Sequence, residues 1–563
     1  MENKAIARKL RLLSQLMELH EENPFKIKSI ANAYFKVDKL PFALKDKPFN
    51  ELEKIDGIGK SLAAKIVELL QTGELAELTD IIAKTPEGVV EMLGIKGIGP
   101  KKIAIVWHKL GIESIGELYY ACNENRLIEA RGFGLKTQEE IKNAIEFKLA
   151  ANGRFLYSQV EGFANTIFAE LSAWLTEVDT GYSLSFAGQY RRCCEIIDEL
   201  EFVIGTDVIE EVTSKLPSFE PLSLITGEDA FITTTSAGLR MKIFVAPNAD
   251  FHLLWFKQTG NNEHVEKVLK LAGNGPFNAE IDIYAAAGLS YIEPELREDF
   301  DEIELARANK LPTLINYKDL KGSLHNHSTW SDGVHTLEEM ATYCKETLNL
   351  QYLGICDHSK TAVYAKGLNE QRIFGQHQEI DKLNEKLAPF KIFKGIESDI
   401  LSDGSLDYTD DILKTFDFVV ASIHSNLRMD EAKATARLLK AIENPFTTIL
   451  GHPTGRMLLT RAGYPIDYKK IIDACAANNV VIEINANPLR LDLDWRWHRY
   501  ALEKGVLLSV NPDAHRMEGF HDMHYGILVA RKGGLSADKC LNALSLEEIT
   551  HYFETKKATE VKL

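Results

Sequence analysis

Ser323-Leu-His-Asn-His-Ser-Thr-Trp-Ser-Asp-Gly333 sets His325 and His327 one residue apart and puts Asp332 five residues beyond the second. Alternate residues of an extended segment point to the same side, so an H-x-H pair at a strand end aims both imidazoles at one point. That is a metal-ligand spacing, and the chemistry recurs downstream at the ends of short apolar runs. Tyr352-Leu-Gly-Ile-Cys-Asp-His ends at His358, Lys391-Ile-Phe-Lys-Gly-Ile-Glu reaches Glu397, and Phe416-Asp-Phe-Val-Val-Ala-Ser-Ile-His ends at His424. Thr447-Thr-Ile-Leu-Gly-His ends at His452, and Gly505-Val-Leu-Leu-Ser-Val-Asn-Pro-Asp-Ala-His carries Asp513 and His515. Runs of this kind, nearly free of charge, read as parallel strands buried on both faces. Amphipathic segments such as 336–349 and 430–443 lie between them. Strand, ligand, helix, repeated, predicts a βα-barrel with its site at the C-terminal ends of the strands. A lone His at a strand end is more often a satisfied polar group than a ligand. Nine residues placed this way together outweigh that reading.

These motifs resemble those of the polymerase-and-histidinol-phosphatase (PHP) metallophosphoesterases over about residues 320 to 550; Pro512 is a departure, at a position where a small polar residue is commoner. The resemblance implies a barrel holding two or three divalent ions and hydrolysing a phosphoester. It assigns His325, His327, Glu397 and Asp513 to one ion and to catalysis, and Asp332, His358 and His515 to others. Glu397 bridges, and His424 and His452 complete the set. Mixed imidazole and carboxylate donors suit Mn, Zn or Fe better than Mg or Ca. Clustered ions hold a phosphate, lower the pKa of a bound water and stabilise a leaving oxygen.

The chain has 563 residues, room for three or four domains, and a net charge of −17. That charge is uneven: residues 1–150 carry +1, residues 151–310 carry −14 and residues 311–563 carry −4. A net-acidic protein still grips DNA where its local surface is positive, so the middle third is the part excluded from that task. Seven scattered cysteines without a CxxC, a charged amphipathic start and no membrane-length apolar run predict a reduced, cytoplasmic protein without a membrane partner.

Residues 1–150 read as helical and repeat one theme three times: Ile55-Asp-Gly-Ile-Gly-Lys-Ser, Ile95-Lys-Gly-Ile-Gly-Pro-Lys and Ala130-Arg-Gly-Phe-Gly-Leu-Lys. Gly-hydrophobic-Gly permits a tight turn with φ > 0, and the amides opening the next helix face outward with partial positive charge. Such a hairpin holds a phosphate without reading a base. The predicted DNA contacts are Gly57, Gly59, Lys60, Lys65, Gly97, Gly99, Lys101, Lys102, Gly132 and Gly134. The motifs resemble helix-hairpin-helix elements in the order found in family X DNA polymerases. Some members of that family use a lysine at the position of Lys65 to cut abasic sugars; a phosphate-contacting helical lysine is the preferred reading here.

The resemblance continues through the middle, where the departures carry the information. Ala187-Gly-Gln-Tyr-Arg-Arg is similar to the family's triphosphate cradle, with Gly188, Arg191 and Arg192 in place and Gln189 instead of serine. The family's Asp-x-Asp becomes Glu199-Leu-Glu201, and its third carboxylate becomes Lys242. Mg²⁺ demands near-ideal octahedra, so a longer carboxylate and a lysine predict a degenerate nucleotide site with absent or very weak polymerisation.

The expected architecture is multidomain α+β and α/β. Helix-hairpin-helices occupy residues 1–150, a nucleotidyltransferase-like α+β palm and thumb residues 151–312, and a PHP βα-barrel residues 320–563. This order resembles the bacterial PolX type and implies a DNA-repair nuclease, 3′→5′ exonuclease and possible abasic-site endonuclease, acting on gapped, nicked or abasic DNA or on 3′ ends. An active gap-filling polymerase with an exonuclease, and a phosphatase acting on a small phosphoester, are the alternatives. A scaffold that only binds DNA has no use for a complete ligand set.

Overall fold

The computed structural model describes residues 1–128, 130, 132–150, 153–219 and 222–560. Position 151, where the middle domain is expected to begin, Arg131 of the third hairpin and positions 561–563 lie outside the described residues. The chain forms two compact units, residues 1–148 and residues 149–563.

The first unit is helical. Its three glycine hairpins turn as their spacing predicts: Gly57, Gly97 and Gly132 take φ of 84°, 94° and 92°, where a Cβ would be strained. Gly59 and Gly99 then cap the helices Lys60–Thr72 and Pro100–Leu110, and Gly134 precedes Leu135–Ala150. The hairpins thus point helix N-termini outward, and the apolar stripes Leu62, Ile66 and Leu69, and Ile103 and Val106, face the core.

In the second unit, five strands form one sheet in the order β1-β2-β5-β4-β3: β1 (Ser183–Ala187), β2 (Glu199–Gly205), β3 (Ile225–Thr226), β4 (Phe231–Thr234) and β5 (Arg240–Ala246). The β2/β5 pair is parallel and the others antiparallel. Helix Tyr157–Val178 buries Val160, Ala164, Ile167, Leu171 and Leu175 in the same core as the sheet's Phe202, Ile204, Met241 and Ile243. This is an α+β layer arrangement.

Seven parallel strands follow: β6 (Gly322–Ser323), β7 (Tyr352–Ile355), β8 (Lys391–Asp399), β9 (Phe418–Ser422), β10 (Ile449–Leu450), β11 (Val481–Asn485) and β12 (Leu508–Asn511). They run in sequence order and nearly close into a barrel. The His327 amide donates to the Ala514 carbonyl at 2.9 Å, and a parallel bridge joins Asn326 to Ala514. Strands β7, β9 and β11 are buried at every position, as two-sided burial by flanking helices requires. The interior below the site is filled by Tyr352, Phe393, Phe418 and Val481 and closed by the C-terminal helix, whose Phe553 stacks on Phe418 at 5.0 Å. A packed floor holds the strand ends above it still.

Acidic side chains of the middle meet basic and aromatic ones of the barrel. Glu195 accepts from Trp495 Nε1 at 3.1 Å and Arg496 at 3.3 Å, Glu161 from His524 at 2.8 Å, and Glu295 from Arg531 at 2.7 Å. Part of the negative charge of residues 151–310 therefore lies in their contacts with the barrel.

Candidate metal centre

All nine ligands expected from the sequence converge at the C-terminal end of the barrel. His325 and His327 follow β6, His358 follows β7, Glu397 lies on β8, His424 follows β9, His452 follows β10, and Asp513 and His515 follow β12. Glu397 is central. Its Oε1 lies 3.3 Å from His325 Nε2, 3.1 Å from His424 Nε2 and 3.0 Å from His452 Nε2, while Oε2 lies 2.9 Å from His358 Nδ1. Asp513 Oδ1 is 3.0 Å from His327 Nε2 and 3.6 Å from His325 Nε2. Asp332 lies 3.5 Å from His358 Nε2 and 3.4 Å from His515 Nε2. Three sets of donor atoms are close enough to share an ion: His325, His327 and Asp513; His327, Asp332, His358 and His515; and His358, Glu397 and His424. His452 stands outside these sets and touches the cluster through Glu397.

The donors pass the test a metal site must meet. His325 Nε2, His327 Nδ1, both ring nitrogens of His358, His452 Nδ1, Asp332 Oδ2 and Glu397 Oε2 are buried without a hydrogen bond. An orphaned polar atom in the interior costs about 1–3 kcal/mol, so several together mark a place built for cations. Burial lowers the His327 imidazole to about 3, reinforced by His515 and His358, so the ring is neutral and offers a lone pair. Burial alone would raise the Glu397 carboxyl; the surrounding imidazoles, led by His424, more than offset this and keep it ionised. His452 and Asp513 take φ of 22° and 53°, a left-handed backbone that non-glycine residues adopt at a cost when a site demands it.

The sequence reading did not single out the carboxylates that orient these ligands. Glu483 on β11 accepts from His325 Nδ1 at 2.7 Å, from the His452 amide at 2.7 Å and from Asn511 at 3.0 Å. Asp399 holds His424 Nδ1 at 2.5 Å. Asp357 accepts from the Ser328 and Ser331 amides at 2.9 and 3.0 Å and from Gln376 at 2.6 Å, bracing the loop that carries Asp332. Two signals were available. Asp399 stands two residues beyond Glu397, on the same strand face, and Glu483 interrupts an apolar run in Val481-Ile-Glu-Ile-Asn.

The middle sheet is arranged differently. Glu199 and Glu201 pair in register with Arg240 and Lys242 across β2 and β5. Lys242 Nζ sits 2.6 Å from Glu199 and Arg240 3.4 Å from it, so protein cations occupy that carboxylate. Glu201 is pressed against Gly188, where an added Cβ would lie 1.7 Å from its Oε2. Burial and the neighbouring Glu199 raise its carboxyl to about 7. Arg191 makes a two-pronged pair with Glu280 at 2.8 and 2.7 Å, and Arg192 pairs with Glu298 at 2.9 Å, which also takes buried Lys532 of the barrel. Arg297, fully buried, grips the same Glu280 at 2.6 Å.

In the helical unit, Lys26, Lys60 and Lys65 line a cavity of about 260 Å³ beside Gly59, with Ser29 and Ser61. Lys65 and Lys26 both pair with Glu77. Lys101 and Lys102 open the helix that Gly99 caps.

Residues 1–75 match a family model described as Helix-hairpin-helix domain, and residues 89–146 one described as SAM-like Helix-hairpin-helix tandem. Over 98% of its length the chain is 34% identical to the DNA polymerase/3'-5' exonuclease PolX of Bacillus subtilis (strain 168), and the alignment spans 100% of that relative. Over 31% of its length it is 30% identical to a "Probable phosphatase" of Thermoanaerobacter sp. (strain X514), covering 73% of that protein. A second "Probable phosphatase", from Vibrio atlanticus (strain LGP32), is 28% identical over 35% of the chain and 79% of its own length. No helix among the described residues is long and apolar enough to cross a membrane.

Proposed function

The chain belongs to the PolX family, and from that premise we propose that it is a DNA-repair nuclease that hydrolyses phosphodiester bonds from 3′ ends, and at abasic sites, in its barrel. The observation that carries this reading is the buried cluster around Glu397, whose donors are orphaned without cations. Two or three ions fit the three donor sets, and mixed imidazole and carboxylate ligands favour Mn, Zn or Fe. Bound there, such ions would supply Lewis acidity toward a phosphate and acidify water.

The protein's own part is positional. His325, His327 and Asp513 would hold one ion, Asp332, His358 and His515 a second, and Glu397 would lie between them with His424. Glu483 and Asp399 fix the tautomers of His325 and His424 by accepting from Nδ1, leaving Nε2 to face the cluster. The barrel wall keeps these rings dry, which strengthens their hold on charge.

The helix-hairpin-helix unit would bind DNA by its backbone, through outward helix N-termini and the lysines beside Gly59 and Gly99. The middle domain would polymerise weakly or not at all, because Lys242 neutralises Glu199 and Arg191 and Arg192 are held by Glu280 and Glu298. The name of the Bacillus subtilis relative favours a second reading, an active polymerase with an exonuclease.

One gel separates the two. A 5′-labelled primer on a gapped template is incubated with Mn²⁺ and all four deoxynucleoside triphosphates, beside the His325→Ala variant. Shortening by wild type alone is expected; lengthening would establish the polymerase. Removal of residues 1–148 should weaken DNA cleavage far more than hydrolysis of bis(p-nitrophenyl) phosphate. Equal loss of both would overturn the role given to the helical unit.

A further inference from the structure

Beside the cluster stands a loop whose tip carries Val363 and Tyr364. Residues 359–368 leave the strand end after His358, and their anchors are inward. The Thr361 amide donates to Asp407 at 2.7 Å, and its hydroxyl donates to Asp399 at 2.8 Å, the carboxylate that orients His424. The Leu368 amide returns to the His358 carbonyl at 2.8 Å. Gly367 has no room for a side chain, since a Cβ there would lie 1.8 Å from the Ser359 carbonyl oxygen. The loop is therefore tied at both ends to ligand-bearing strands, and its outward residues sit at fixed distances from them.

Those outward residues are apolar and aromatic. Val363 is 80% exposed and Tyr364 39% exposed. The Tyr364 ring centroid lies 6.1 Å from that of His358, which like His327 belongs to two of the three donor sets. Folding gains nothing from holding a valine in water, and an aromatic face one ring away from the reacting centre is where the nucleoside next to a scissile phosphate must lie. Every base presents a π-face, so stacking on an aromatic ring is tolerant of sequence and requires the base to be unpaired. Lys360, paired with Glu370 at 3.0 Å, and Lys366 flank the tip in sequence.

Resting on the phosphodiesterase reading above, we infer that Tyr364, with Val363 beside it, is the platform for the 3′-terminal base of a single-stranded or frayed end, and that it sets the barrel's preference for unpaired DNA over small phosphoesters.

The test uses the full-length protein with Mn²⁺ and a single-stranded oligonucleotide carrying 2-aminopurine at its 3′ terminus and a phosphorothioate at the last linkage. Wild type should quench the terminal fluorophore and leave one placed five nucleotides inward unchanged. Tyr364→Ala should abolish the quench, and Tyr364→Trp should retain it. With an unmodified oligonucleotide, Tyr364→Ala should raise KM about ten-fold, whereas an oligonucleotide whose 3′-terminal nucleotide lacks its base should show no such rise. An undiminished quench in Tyr364→Ala, or an equal rise in KM on the abasic and the base-bearing end, would overturn the inference. If wild type cleaves neither oligonucleotide, the phosphodiesterase reading fails, and the fluorescence still decides whether Tyr364 holds the base.

Discussion

The barrel end and the region around the middle sheet both collect carboxylates, and they solve the resulting charge problem in opposite ways. Around Glu397 the neighbours are imidazoles that orient lone pairs inward and leave polar atoms without hydrogen bonds. Around Glu199 and Glu280 the neighbours are Lys242, Arg191 and Arg297, which neutralise the carboxylates from within the chain. A buried anion cluster with internal cations is a structural element, whereas one whose donors stay orphaned is a socket. Resemblance alone does not separate the two, because the middle keeps Gly188, Arg191 and Arg192 and still uses the arginines as struts.

Removing the central ligand breaks the contrast most severely. Glu397→Gln is expected to reduce release of nucleotides from a labelled 3′ end by at least about 10⁴-fold, while Lys242→Ala leaves that rate within two-fold; comparable losses would erase the distinction. Next in size is Arg297→Ala, which takes from buried Glu280 one of its two arginine partners and leaves Arg191. Denaturant unfolding should show a loss of about 2–3 kcal/mol, with nuclease activity per folded molecule retained.

A smaller effect is expected from Glu483→Gln, which keeps the side chain's shape and removes its charge from His325. Metal affinity, followed by competition with a chromogenic chelator, should fall roughly 10- to 100-fold. An unchanged affinity would reduce Glu483 to a strand-end packing residue.

The mildest prediction concerns pH. Glu201 is raised from 4.5 to about 7 by burial and by Glu199. Between those values the folded state holds more protons than the unfolded one, so its contribution to stability declines as pH rises and levels off above about 7. Glu280, lowered to about 2 by its arginines against the pull of burial, acts in the other direction: its contribution is present above 4.5 and lost as pH falls toward 2. Glu201→Gln should flatten the decline between pH 5 and 7 by about 1–2 kcal/mol, measured as denaturation midpoints across that range. A Glu280→Gln variant should lower stability evenly across that range, leaving its slope unaltered, and should approach wild type only as pH falls toward 2.

Much of this was legible before folding. Ligand types at the ends of apolar runs identify the barrel, because a parallel strand buried on both faces has few places for a charged residue other than its end. The three Gly-x-Gly turns were legible for a similar reason: Gly57, Gly97 and Gly132 occupy the backbone region where a side chain clashes. Glu483 and Asp357 were not singled out, because a lone carboxylate in an apolar run has many possible partners, and its partner, His325 158 residues away, is chosen by strand order. The acidity of residues 151–310 was visible as a number, and its use in the joint with Arg496, Arg531 and Lys532 was not.

The sequence by itself determined the kinds of element and the donor types set at the ends of the apolar runs, since these depend on residue type and spacing along one chain. Tertiary structure alone decided which nitrogen of each histidine faces the cluster, which carboxylates are answered by protein cations and that Tyr364 overlooks His358. Those outcomes depend on distances between residues far apart in sequence, and barrel closure and sheet register set such distances where local pattern does not.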